Sequence, residues 1–157
     1  MCTRRILFAL ALFALATSVA VAAEAIKPDL KKFKWKGGFD GAEQYGGYDE
    51  GESRFFLYTF GTATGSVELP EDGDYLITID ASCDEAKKIF AAFKLTIGDV
   101  VVTKEQFLKS TEVKPYTFTA KLKKGKQDLV VEFLNDEFKE GEYDRNLYLH
   151  GIRLEKK

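Results

Sequence analysis

The chain has 157 residues, with 25 acidic and 23 basic side chains, one histidine and two cysteines. A net charge of −2 excludes the broad basic surface that electrostatic binding to nucleic acid requires. Two cysteines in this length exclude a disulfide framework, so an apolar core, with or without a bound ion, must hold the fold.

Arg4 and Arg5 precede an apolar run, Ile6–Ala16, and small residues follow up to Ala25. This is the pattern of a secretory signal peptide, and the run is too short for a comfortable transmembrane helix. The expected cleavage lies after Ala23, with Ala22 and Ala25 as alternatives and a retained anchor as the competing reading. Residues 1–23 are thus expected as leader. The rest is expected to be secreted, periplasmic or extracellular, without stable membrane insertion after cleavage. Cys83 is then the only cysteine left, with no partner for a disulfide. The remaining 134 residues make one domain, large enough to bury about two thirds of its unfolded surface.

Residues 24–52 are rich in Lys and Gly and are expected to form an N-terminal spacer or edge segment. Trp35, the only tryptophan, either packs on the domain or offers a flat surface to a sugar. From Ser53 onward the sequence is strand-like. The aromatic run 54–60 and the run 65–70 lead into the Asp72–Gly73 turn. Residues 75–81 alternate, with Tyr75, Ile77, Ile79 and Ala81 on one face. Phe93, Leu95 and Ile97 share a face within 92–98, and 100–103 follows. Tyr116, Phe118, Ala120 and Leu122 alternate within 116–122. After the turn at 123–126, Leu129, Val131 and Phe133 alternate within 128–134. In the final run, 146–155, Leu147 and Leu149 have one parity and Ile152 and Leu154 the other, which predicts a β-bulge at His150–Gly151. Residues 83–93 read as a loop entering a strand. About eight short strands with frequent turns and no sustained helix predict an all-β, single-domain antiparallel β-sandwich over 53–157, of jelly-roll type. A closed barrel is the alternative.

The reactive groups are few. His150 lies within a strand, Cys83 has no His in its own segment to act as a base, and neither the spacing of a zinc site nor a nucleophile or phosphate-loop motif is present. What stands out is an acidic segment. Asp136, Glu137, Glu140, Glu142 and Asp144 fall between Asn135 and Arg145. It admits three readings: a solvated loop, a cation site or an acid–base pair. An EF-hand is excluded, because counting from Asp136 puts Phe138 third and Leu147 twelfth, and neither side chain carries the oxygen needed there.

The runs 133–136, "FLND", and 143–149, "YDRNLYL", together with the strand patterns at 73–82, 84–102 and 116–136, resemble the calcium-dependent xylan-binding modules of carbohydrate-binding families 36 and 60. The resemblance spans about Ser53–Leu154. It implies a β-sandwich without catalytic activity, in which Ca2+ near the loop end meets vicinal hydroxyls of a xylan-like polysaccharide. Carried over, it makes Asp136 and Asp144 side-chain ligands and the main-chain carbonyl of Tyr143 a third. Arg145 and Asn146 are left to brace the loop, and the aromatic groups of Phe138 and Tyr143 are candidate contacts for the sugar ring. The readings that compete with it are a secreted β-sandwich interaction protein with a purely structural calcium site, and a glycoside hydrolase working with two carboxylates.

Overall fold

The computed structural model describes residues 24–37 and 43–157; the expected signal peptide, 1–23, lies outside the described residues. Twelve strands follow in order. They are β1 (Lys34–Gly37), β2 (Gly46–Asp49), β3 (Arg54–Leu57), β4 (Gly61–Leu69), β5 (Gly73–Cys83), β6 (Ala92–Ile97), β7 (Val100–Phe107), β8 (Lys114–Leu122), β9 (Gly125–Phe133), β10 (Phe138–Lys139), β11 (Tyr143–Asp144) and β12 (Leu147–Lys156). One antiparallel sheet has the order β1-β4-β9-β6-β7, the other β2-β3-β12-β5-β8, and β10-β11 is a separate two-stranded ribbon. The two five-stranded sheets pack face to face, which is the sandwich that the alternating runs predict.

The core follows that alternation. Tyr75, Ile77, Ile79 and Ala81 of β5 are wholly buried, as are Phe93 and Leu95 of β6 and Leu129 and Val131 of β9. Successive strand residues point to opposite faces, so each run sends one parity inward. On β8, at a sheet edge, Tyr116 and Leu122 are buried, while Phe118 and Ala120 only pack partly against the core. In β12 the pairing with β5 slips between Leu149 and Gly151. The slip takes up one residue, so Leu147, Leu149, Ile152 and Leu154 all reach the core despite their mixed parity. The displaced His150 accepts or donates a 2.8 Å hydrogen bond with the Ser82 hydroxyl.

Two expectations change. The run 54–60 is not one strand. β3 stops at Leu57, and the chain crosses through Tyr58–Phe60 to begin β4 in the opposite sheet. The crossing is held by the Tyr58 N–H donating to the Tyr45 carbonyl at 2.8 Å. Of the two forms expected for 24–52, spacer or edge segment, it takes the edge. β1 and β2 form an edge of each sheet, Ile26 bridges to Leu154 through two main-chain hydrogen bonds of 2.9 and 2.8 Å, and Leu30 and Phe33 are buried in the core. The sandwich therefore begins well before Ser53.

Trp35 closes the side where β1 and β2 meet, and glycine is required around it. A Cβ on Gly46 would stand 2.0 Å from Trp35 Cδ1, whereas one on Gly47 would make ordinary contact with Phe56 at 3.7 Å. Gly46→Ala is expected to lower stability by about 1–3 kcal/mol through overpacking, and Gly47→Ala to leave the melting temperature nearly unchanged. Thermal melts of the two variants check this; equal melting temperatures would show that the indole is free to move aside.

Candidate functional site

The acidic segment follows β9 and folds back on itself as the β10-β11 ribbon. Phe138 pairs with Asp144 and Lys139 with Tyr143. Paired residues share a face of a ribbon and neighbours alternate, so Phe138 and Asp144 point one way and Tyr143 the other. Phe138, Asp144 and Asp136 line a cleft of about 370 Å³, whose remaining walls come from Gln44, Tyr45, Tyr58 and Thr59. The ring of Tyr143 is not in this cleft. It lies beneath the Lys87 ammonium, 5.2 Å from it, so of the two aromatic groups expected at the sugar only Phe138, 66% exposed, faces the carboxylates. The aromatic partners across the cleft are Tyr45 and Tyr58, from the short 3-10 turn Glu43–Tyr45 and the sheet crossing. Neither carries a sequence signal, because their place depends on the order of strands.

Asp136 is the most constrained of the acids. Its Oδ2 accepts a 3.1 Å hydrogen bond from the Thr59 hydroxyl. Its Oδ1 is buried and has no hydrogen-bond partner among the described residues. Burial pushes the Asp136 carboxyl above the usual carboxylate range, the Thr59 hydroxyl opposes that shift, and the nearby Asp144 carboxylate adds to it. A buried, partly unpaired carboxylate next to a second one is costly, and a divalent cation compensates both groups.

Asp144 is held through Asn146. The Asn146 amide nitrogen donates to Asp144 Oδ2 at 3.1 Å and to Asp84 Oδ2 at 3.0 Å, and the Tyr148 hydroxyl donates to the same Asp84 oxygen at 2.5 Å. Two carboxylate acceptors fix which way the amide points, and they leave Asn146 Oδ1 buried without a partner among the described residues. Asp84 is thus a member of the site that sequence reasoning missed. It lies in the loop after β5, remote in sequence from the acidic segment.

Arg145 sits between these groups and faces inward. Only 4% of it is exposed. Its guanidinium donates to the carbonyls of Ile89 at 2.9 Å, Ala86 at 2.7 Å and Asn135, and its own N–H donates to the Glu137 carbonyl at 3.0 Å. Asn135 adds a clamp, accepting from the Ala92 N–H at 2.6 Å and donating to the Phe90 carbonyl at 3.0 Å. Glu137 points away and pairs with Lys87 at 2.5 Å on the surface; Lys139 and Glu142 pair with each other.

Among the described residues no three His, Cys, Asp or Glu side chains converge in a metal-binding group. A cation here would rest on two carboxylates supplemented by carbonyl oxygens. That donor set suits Ca2+, which takes six to eight oxygens, and it leaves coordination positions open. The orphaned Asp136 Oδ1 and the Asp136–Asp144 repulsion fit such an ion.

A carboxyl raised in the fold contributes stability that is fully present below its unfolded pKa, about 3.9, and is lost as pH rises through the folded value. At neutral pH and without metal, Asp136 therefore weakens the fold. Asp136→Asn is expected to keep or raise the metal-free melting temperature at pH 7, flatten its dependence across the carboxylate range, and remove any response to calcium. Melts against pH in chelator test this, and a clear fall in metal-free stability would contradict it.

The family model described as calcium-dependent, xylan-binding carbohydrate-binding module, CBM60, matches residues 76–157. The chain is similar in structure to a native family 35 carbohydrate-binding module from Clostridium thermocellum. That match has a TM-score of 0.60 at 12% identity and covers 86% of this chain and 100% of the other. It is also similar to the CBM36-1 domain of a multidomain xylanase from the hindgut metagenome of Trinervitermes trinervoides, with a TM-score of 0.56 at 12% identity and coverage of 85% and 97%. At these identities the structural likeness shows the sandwich fold alone. No curated protein matches the chain. With the family model covering more than half of the sequence, the chain belongs to carbohydrate-binding module family 60, whose members are non-catalytic, calcium-dependent binders of polysaccharide.

Proposed function

We propose that this protein is a secreted module that recognises vicinal hydroxyls of a xylan-like polysaccharide through calcium held in the cleft at the β10-β11 ribbon. The observation that carries the reading is the buried Oδ1 of Asp136, without a partner among the described residues, in a cleft shared with Asp144. In this reading Asp136 and Asp144 hold the ion with their side chains and Tyr143 with its main-chain carbonyl. When bound, calcium supplies open coordination positions that a diol fills in place of water. Thr59 and Asn146 each hold one carboxylate oxygen, at 3.1 Å in both cases, and so keep the two acids in place. Phe138, Tyr45 and Tyr58 offer apolar faces for the sugar ring, the usual complement to polar recognition in a concave site.

Asp144→Ala is expected to abolish both calcium and xylan binding and to leave the metal-free fold intact. Glu137→Ala, which removes only an exposed ion pair worth about 0–1 kcal/mol, is expected to bind as wild type does. In the wild type, calcium at a hundredfold excess over its Kd raises stability by about 2.7 kcal/mol. Pull-down on insoluble xylan with calcium and with chelator, beside calorimetry, decides the matter. Normal xylan retention by Asp144→Ala, or equal failure of both variants, would remove the cleft from consideration.

The route to the outside is read from Arg4, Arg5 and the apolar run that follows. Mass spectrometry of exported protein is expected to find an N-terminus at Glu24 and a reduced Cys83. Exported protein that retains Met1 would overturn the leader.

A further inference from the structure

The cation cleft does not stand alone on its side of the sandwich. Tyr58, one of its walls, stacks on Phe56, two residues earlier on β3, with ring centroids 4.5 Å apart. Phe56 in turn lines a second groove of about 570 Å³, which contains Trp35, Gly46, Gly47 and Tyr48. The two depressions therefore share the Phe56–Tyr58 ring pair as a common wall. The second groove is open because of its glycines: Gly47 lies opposite Phe56 in the β2-β3 ladder and has no side chain to cover that ring. Trp35 fits against Gly37, Gly46 and Gly61, where any Cβ would come within 2.0–2.7 Å of the indole. Phe56 is only half-buried, whereas Tyr48 pairs with the buried Phe55 and turns to the core face of the sheet.

We infer that Tyr58 and Phe56 form a short aromatic track that carries a further sugar residue of the same polysaccharide whose diol occupies the cation cleft. The inference rests on the calcium-site reading above. Its occupant is set by continuity. A chain seated at Phe138 and Tyr58 leaves the cleft over Phe56, and flat apolar rings in sequence suit the C–H faces of consecutive pyranoses in an unbranched run. The track also assigns a role to the segment before residue 76, which supplies Gly47, Phe56 and Tyr58 and lies outside the family match.

The test compares xylobiose with xylohexaose by calorimetry in calcium and in chelator. In calcium, the hexasaccharide is expected to bind roughly tenfold or more tightly than the disaccharide, a difference on the scale of a ring contact or two. Phe56→Ala should bring the hexasaccharide down to the disaccharide's affinity and leave the disaccharide unchanged. Gly47→Gln, which lays a side chain over Phe56 and deletes no packing, should do the same; metal-free melts confirm that both variants fold. Calcium-dependent binding with equal affinity for the two oligosaccharides would overturn the track and leave the cation site standing. A length dependence that survives both substitutions would also overturn it. Failure of both oligosaccharides to bind in calcium would remove the cation reading and the track with it.

Discussion

Arg145 is a buried cation bound by main-chain carbonyls, and the geometry of the cleft depends on it. Its guanidinium reaches Ala86 and Ile89 in the loop between β5 and β6 and Asn135 at the end of β9, while its N–H closes the ribbon against Glu137. Taking a guanidinium out of water is costly, and only a planar group with several fixed donors can satisfy carbonyls from two segments at once. Among the described residues it makes no salt bridge with a carboxylate, so its charge is met by dipoles. Its neighbour Asp144 points out as Arg145 points in. The inward anchor thus sets where the outward acid stands.

Around that anchor the polar groups divide into two kinds. Elsewhere on the sheets, charges are matched in the ordinary way: Arg153 with Asp80 at 2.5 Å and Lys94 with Glu132 at 3.2 Å. At the cleft they are left short of partners. Among the described residues Asp136 Oδ1 and Asn146 Oδ1 are buried without a partner, and Asp136 sits beside a like charge. Native folds satisfy nearly all buried polar atoms, and the places that break this rule are where function is sought. The fold can carry the strain because the sandwich core beneath is closed: Phe93, Phe133 and Leu147 are buried next to the segments that bear the acids. A site that is unfavourable when empty gives its ligand more to gain on binding.

The same core explains why the N-terminal segment matters. β1 and β2 are the edge strands of the two sheets on this side of the sandwich. Trp35 lies against three glycines where the two strands meet, and the turn at Gln44–Tyr45 is brought against Tyr58 to complete the cleft. One stretch of chain therefore both packs against the core and walls the cleft.

The sequence by itself determined the strands and the slip between them. Side-chain direction in a strand has period two, a local property, so the inward sets on β5, β6 and β9 were legible. So was the bulge at His150–Gly151, because a change of parity within one apolar run has no other economical explanation. The acidic pair and the bracing role of Arg145 and Asn146 were legible through the runs that Asp136 and Asp144 belong to. Only the tertiary structure decided the rest. That Tyr143 turns its ring to Lys87 follows from its register against Lys139. Asp84 joins the site because β5 and β12 are neighbours and bring Cys83 opposite Leu147. Tyr45 and Tyr58 become cleft walls because the chain crosses between sheets at Tyr58–Phe60. These are consequences of strand order and register, which are fixed by contacts between residues far apart in sequence, and no local pattern encodes them.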